Sequence, residues 1–361
     1  MPNFPLTIIA GATARERLAS EGWRPALFTA MVGASGGAKL LGLGYLDRYL
    51  FGEYLNRSAH PMELYGSSIG SWRHAALASI SPGQAIATLQ DRYMKQQWAE
   101  DDRRSPSQVV DGLCEWVLDS FLTPDDINHI ATNPRFRTHI VTALGLGLNS
   151  HQKKSMLALG MAKAATLNMI NRQLLARSFQ RVVFSTGVSE SFVFKDFDTE
   201  HIDVNPDNLR SALLASGSIP FLMSGQRDIV GAPDGHYWDG GIIDYHFDFA
   251  NCAGDGLVLY PHFSDQVVTG WFDKALSWRR NSQRNSNGHP ALDNVVIVAP
   301  SQAYIAALPY GKIPDRSDFQ KMSQATRLTY WRECVSTSQT LADAFIEVIE
   351  SPDPLRFVAA Q

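Results

Sequence analysis

Apolar runs, each followed by a glycine or serine turn and then a helical pattern, recur along this 361-residue chain and restrict its fold more than any other feature. Residues 26–32 form a candidate buried strand that runs into a Gly-rich turn and then a helix to about Leu55. Residues 62–65 repeat the arrangement, with a turn at 66–70 and a helix to about Ile80. Further strand candidates are 139–146, 181–188, 256–260 and 295–298, with helical patterns at 154–177 and 207–215. Strands alternating with helices imply a mostly parallel sheet covered on both faces, since a parallel crossover needs a connection long enough to be a helix. The expected class is α/β.

Two stretches read as additions to that frame. Residues 82–138 are mainly helical, with a start signal at Thr123-Pro124-Asp125-Asp126: a capping threonine, proline in the first turn, then acids near the positive helix end. Residues 264–361 carry a polar loop over 279–288, containing Arg279, Arg280 and Arg284, followed by long helical patterns. That basic cluster reads either as a solvated loop or as a contact for anionic headgroups. The division expected is a helical segment over 1–25, a catalytic frame over 26–263 with 82–138 as an inserted helical region or lid, and a mostly helical extension over 264–361 packed on the same domain.

Hydrophobic residues make up 45% of the chain and charged residues only 19%, which implies a sizeable core and argues against disorder. Thirty-two Lys and Arg against 36 Asp and Glu leave a net charge of -4, without the basic excess that phosphate neutralisation demands of a nucleic-acid binder. Cys114, Cys252 and Cys334 are far apart and lack C-x-x-C spacing, so neither a disulfide framework nor a zinc site is expected. The apolar run near the N-terminus has no basic stretch before it, and no run of about 18 apolar residues follows elsewhere. A cytoplasmic protein is expected, with peripheral membrane contact and oligomeric state left open.

Gly66-Ser67-Ser68-Ile69-Gly70 fits G-x-S-x-G between a strand and a helix. Small residues on both sides let Ser68 take a strained conformation, with its hydroxyl clear of the sheet at a helix N-terminus. Ser67 points the other way. Upstream, Gly33-Ala34-Ser35-Gly36-Gly37-Ala38-Lys39 fails as a P-loop, because Ala38 precedes the lysine and Leu40 follows it. Gly42-Leu43-Gly44 fails as a dinucleotide fingerprint for want of a third glycine, so no cofactor is expected. The loop reads better as an oxyanion hole, with the amides of Gly36, Gly37 and Ala38 converging near the nucleophile. For the base, two readings stand. One is a triad of Ser68, Asp239 and either His262 or His289; the other is Asp239 acting directly, with Gly240 and Gly241 allowing close backbone approach. Asp244, His246 and Asp248 alternate as metal ligands on one strand would, although polar alternation on a half-exposed strand explains them equally well.

In order, Ser35-Gly36-Gly37-Ala38-Lys39, Gly66 to Gly70, Ala215-Ser216-Gly217-Ser218-Ile219-Pro220 and Asp239-Gly240-Gly241 together resemble the patatin-like phospholipase family over about residues 26–263. The resemblance implies a three-layer α/β/α domain with a mixed central sheet. It implies Ser68 as nucleophile and Asp239 as base of a Ser–Asp dyad, with no histidine required. Gly36, Gly37 and Ala38 map to the oxyanion hole, Lys39 to the family's basic position beside it, and Gly66, Gly70, Gly240 and Gly241 to supporting positions. The implied activity is hydrolysis of a lipid or other acyl ester through an acyl-serine, of phospholipase A, lysophospholipase or acylglycerol lipase type. Two departures stand out. Ser35 replaces the usual first glycine of three, and Ile242 to Asp248 replaces a run towards Asn and Pro. Tyr93, Trp98, Leu113, Trp116 and Phe121 read either as an acyl pocket or lid, or as helix core. A Ser-His-Asp esterase, an acyltransferase and a catalytically silent lipid-binding protein remain as alternatives.

Overall fold

A computed structural model describes residues 4–98, 102–279 and 292–360. Eleven strands join in one sheet: β1 (Leu6–Ala10), β2 (Phe28–Gly33), β3 (Met62–Ser67), β4 (Phe136–Gly145), β5 (Phe179–Ser185), β6 (Thr199–Asp203), β7 (Gln226–Arg227), β8 (His236–Asp239), β9 (Leu257–Pro261), β10 (Val295–Pro300) and β11 (Val358–Ala360). The main path runs β11-β1-β10-β9-β2-β3-β4-β5-β6. Its centre, β10 to β4, is parallel, while β1 and β5 join antiparallel on either side. The sheet is therefore mixed.

Strand side chains alternate between two cores, as a period of two requires when both faces are covered. Leu64, Leu259, Val296 and Val298 point into one core, built with helix residues such as Leu18, Trp72, Ile86, Leu89 and Phe345. Tyr65, Val258, Tyr260 and Ile297 point the other way, against Phe192, Phe247, Phe249 and Phe263 from irregular segments. A third cluster seats the helix Lys154–Ile170 on Ala143 and Trp238 through Leu157, Met161 and Ala164. These layers make the α/β/α sandwich. Among the described residues no helix is long and apolar enough to cross a membrane.

The sheet reaches beyond the frame drawn from sequence. β1 pairs antiparallel with β10 and parallel with β11. The segment over 1–25 is therefore a strand followed by the helix Ala12–Glu21, and the C-terminal region supplies two strands besides its helices. β1 is an apolar run closed by Gly11 and followed by a helix, the same pattern that marks the other strands, whereas β11 has only three residues. The inserted region resolves into helices Pro82–Met94, Pro106–Asp119 and Pro124–Thr132, the last with the Thr123–Asp126 capping box. β4 already begins at Phe136, inside the range assigned to that insertion.

One strand places the functional loops. β4 pairs with β3 at Val141 opposite Ser67, and with β8 at Thr142 opposite Asp239. Neighbouring residues of a single strand thus bring the ends of β3 and β8 together.

Candidate active site

β3 is buried along its whole length and ends in the turn carrying Ser68. Ser68 has φ 55° and ψ −130°, a left-handed conformation that costs a non-glycine residue about 1–3 kcal/mol. The flanking glycines make the turn possible. A Cβ on Gly66 would come within 2.4 Å of the Ser71 Cα, and one on Gly70 within 1.9 Å of the Gly33 carbonyl oxygen. Helix Ile69–Ala78 then starts directly after Ser68, its N-cap residue.

Ser68 Oγ donates to Asp239 Oδ2 at 2.7 Å, and the other carboxylate oxygen accepts from the Gly241 amide at 2.7 Å. Burial pushes the Asp239 carboxyl up to about 6, partly offset by those two hydrogen bonds and by the cations Arg316 and Lys274. A buried carboxylate so placed is mostly ionised at neutral pH yet more basic than an ordinary aspartate. Gly240 fits because its α-carbon lies against β4: a Cβ there would come within 2.1 Å of the Val141 carbonyl oxygen.

The stretch Ala215 to Pro220 works as a clamp between these two residues. Ser216 Oγ accepts from the Ser68 amide at 2.9 Å and donates to the Val141 carbonyl at 2.7 Å. The Ser218 carbonyl accepts from the Asp239 amide at 2.8 Å. Ser216 thus fixes the strained Ser68 backbone to β4, a role that the sequence motif did not reveal.

The glycine loop follows β2. Gly37 has φ +56°, and the amides of Gly36, Gly37 and Ala38 donate to no described residue, as an anion-receiving loop requires. Gly36 and Gly37 line the same cleft as Ser68 and Asp239, whereas Ala38 is fully buried and does not line it. Ser35, standing where a first glycine was expected, has an evident use. Its hydroxyl lies 3.0 Å from that of Ser67, and a Cβ on Gly241 would come within 2.4 Å of it. The hydroxyl therefore ties the two loops behind the dyad. Lys39 sits beside the loop with its ammonium 4.6 Å from the Phe263 ring centroid.

No histidine lines the cleft among the described residues. His262 is buried, accepts from the Ser264 amide at 3.2 Å and packs edge-on against His246; burial pushes it down to about 3. His289 lies outside the described residues, as do Arg280 and Arg284 of the basic cluster. Arg279, the cluster's one described member, is a fastener: it donates to Asp273 Oδ1 at 2.9 Å and to the Asn168 carbonyl at 2.6 Å. Asp244 and His246 are likewise engaged. Arg181 grips Asp244 at 2.7 and 2.9 Å, and His246 Nδ1 accepts from the Val268 amide at 3.0 Å. Among the described residues no cluster of His, Cys, Asp and Glu is arranged to hold a metal ion.

The cleft has a volume of about 250 Å³. Its apolar wall is Ile219, Pro220, Ile242, Tyr245 and Trp271, and its polar rim is Lys39, Lys274, Asp315 and Arg316. None of Tyr93, Trp98, Leu113, Trp116 or Phe121 lines it. Phe121 belongs to the helical core and Trp98 and Trp116 are exposed, while a Cβ on Gly37 would meet the Tyr93 hydroxyl at 3.1 Å. No motif surrounds the contributors at 271–274 and 315–316, so nothing in the sequence marks them.

The family profile described as patatin-like phospholipase matches residues 31–246, more than half of the chain. No curated protein matches it.

Proposed function

The chain belongs to the patatin-like phospholipase family, a family of lipid acyl hydrolases, and on that footing we propose that it cleaves carboxylic esters of lipids through an acyl-serine formed on Ser68. Asp239 is the base. As Ser68 Oγ attacks the ester carbonyl, its proton passes to Asp239 Oδ2, and the carbonyl oxygen takes up the negative charge. The Gly36 and Gly37 amides receive that oxyanion, each such donor being worth on the order of 10²–10³ in rate. Collapse expels the alcohol, which takes the proton from Asp239. Water then attacks the acyl-enzyme with Asp239 again as base, releasing the acid and restoring Ser68. Glycines, Ser216 and Ser218 hold the pair rigidly, so little reorganisation is needed at the moment of reaction.

The observation that carries this reading is the 2.7 Å hydrogen bond between Ser68 Oγ and Asp239 Oδ2, made by a serine in a strained strand-to-helix turn beside unpartnered loop amides. The test is hydrolysis of acyl esters graded in chain length, with wild type beside Ser68→Ala, and labelling by a fluorophosphonate. Turnover and label that both vanish in Ser68→Ala are expected. Hydrolysis that persists in that variant would sink the proposal.

A further inference from the structure

Three cations surround the cleft of a chain whose net charge is -4. Lys39 comes from the glycine loop, but Lys274 and Arg316 come from segments beyond residues 31–246, the part matched by the family. The carboxylates lining the same cleft are Asp239, which faces Ser68, and Asp315. The ammonium of Lys39 and the guanidinium of Arg316 form no hydrogen bond or ion pair with any described residue. Lys274 lies 3.5 Å from the Tyr245 ring centroid. From this arrangement, and resting on the hydrolase reading above, we infer that Lys274 and Arg316, with Lys39, form an anion-binding subsite that selects esters carrying a negative charge close to the scissile carbonyl.

Both outer cations stand on braced loops. Asp273, next to Lys274, is buried and accepts from Asn168 Nδ2 at 2.8 Å, Arg279 Nη1 at 2.9 Å and the Gly270 amide at 3.0 Å. Asp318, two residues after Arg316, is fully buried and accepts from Trp331 Nε1 at 3.0 Å and the Asp315 amide at 2.9 Å, with Lys312 paired to its other oxygen. Buried carboxylates thus hold the backbone on which each cation is presented.

Gathering these charges is unfavourable without a ligand. Burial and the neighbouring Lys39 and Arg316 push Lys274 down to about 7, against the pull of Asp239 and Asp315. Burial lowers Lys39 as well. An incoming anion removes that conflict, and the partly desolvated setting strengthens its attraction. The small cleft keeps the anion near the reacting carbon.

The charge can sit on either side of the ester, and two matched pairs separate the cases. Monobutyrylglycerol against its 3-phosphate varies the alcohol; ethyl butyrate against ethyl hydrogen succinate varies the acyl group. In wild type the anionic member of at least one pair is expected to show a kcat/KM about tenfold or more above its neutral partner. Lys274→Met and Arg316→Gln should each reduce that ratio on the order of tenfold, as loss of a charged hydrogen bond does, and added salt should shrink it. Because both cations also influence Asp239, neutral esters will slow too, and so the ratio is the readout. Equal proportional losses on charged and neutral esters, or no preference in wild type, would overturn the subsite. Calorimetric binding of glycerol 3-phosphate reads it without turnover, with binding to wild type and none to the double variant expected. If no ester at all is hydrolysed, the hydrolase reading fails, and the calorimetry alone decides the subsite.

Discussion

Asp239 and Asp244 lie five residues apart in one loop, both buried, and the structure uses them in opposite ways. Asp239 is held by a hydroxyl and an amide, and burial keeps its carboxyl near 6. Asp244 is gripped by the guanidinium of Arg181 through two short bonds, and Arg181 also holds Asp196 at 2.8 and 3.2 Å. Both carboxylates are buried, but Asp239 faces the Ser68 hydroxyl while Asp244 is tied to a full charge. Partner identity, more than depth, separates the two.

The comparison is most open to attack at its two ends. Asp239→Asn should lower kcat by on the order of 10⁴-fold or more while leaving the unfolding midpoint nearly unchanged, because the amide fills the same space. Steady-state kinetics beside urea unfolding check this, and retained turnover would remove Asp239 as base. Asp244→Ala should do the reverse. It leaves Arg181 buried with only Asp196 to offset its charge, a loss of about 3–5 kcal/mol, while the folded fraction keeps its kcat.

Smaller effects refine the picture. Ser216→Ala leaves the Ser68 amide and the Val141 carbonyl without their partner and should cost about 1–3 kcal/mol, with a drop in kcat that exceeds any change in KM. The pH profile gives the finest test. In the proposed mechanism Asp239 works as the carboxylate, so kcat/KM should hold at neutral pH and fall as pH drops through about 6. Arg316 favours the ionised form, so Arg316→Gln should move that acid limb upward, by roughly a few tenths of a pH unit given the exposure of the guanidinium. A downward shift would contradict the assigned influence.

What the sequence made legible follows from how local each constraint is. The turn at Ser68 could be read because Gly66 is required by contact with Ser71 inside the turn, whereas the need for Gly70 comes from Gly33 on β2. Asp239 was legible through its two glycines, though not its distance from Ser68, which depends on how β3 and β8 both register on β4. Ser216 was visible only as part of a motif; its hydrogen bonds join residues 148 and 75 positions away. β1 carries the common signal, an apolar run closed by Gly11, but lies outside the frame that the ordered motifs mark, and β11 is too short, at three residues, to carry a periodicity. Lys274 and Arg316 sit in loops with no pattern, and only the folding of the C-terminal region back across the cleft gives them a purpose. Arg279 shows the converse: read as part of either a solvated loop or a headgroup contact, it ties down the segment behind Lys274.

Ser68 and Asp239 are 171 residues apart in the chain and meet only because adjacent residues of β4 receive both of their strands. During synthesis, the Ser68 turn therefore emerges long before the carboxylate that it faces in the folded chain. A chain whose β8 has not docked has no assembled dyad, whatever helix content it has already gained. Turnover is in this sense a stringent gauge of completed folding, and its recovery after denaturant dilution should lag the return of helical signal.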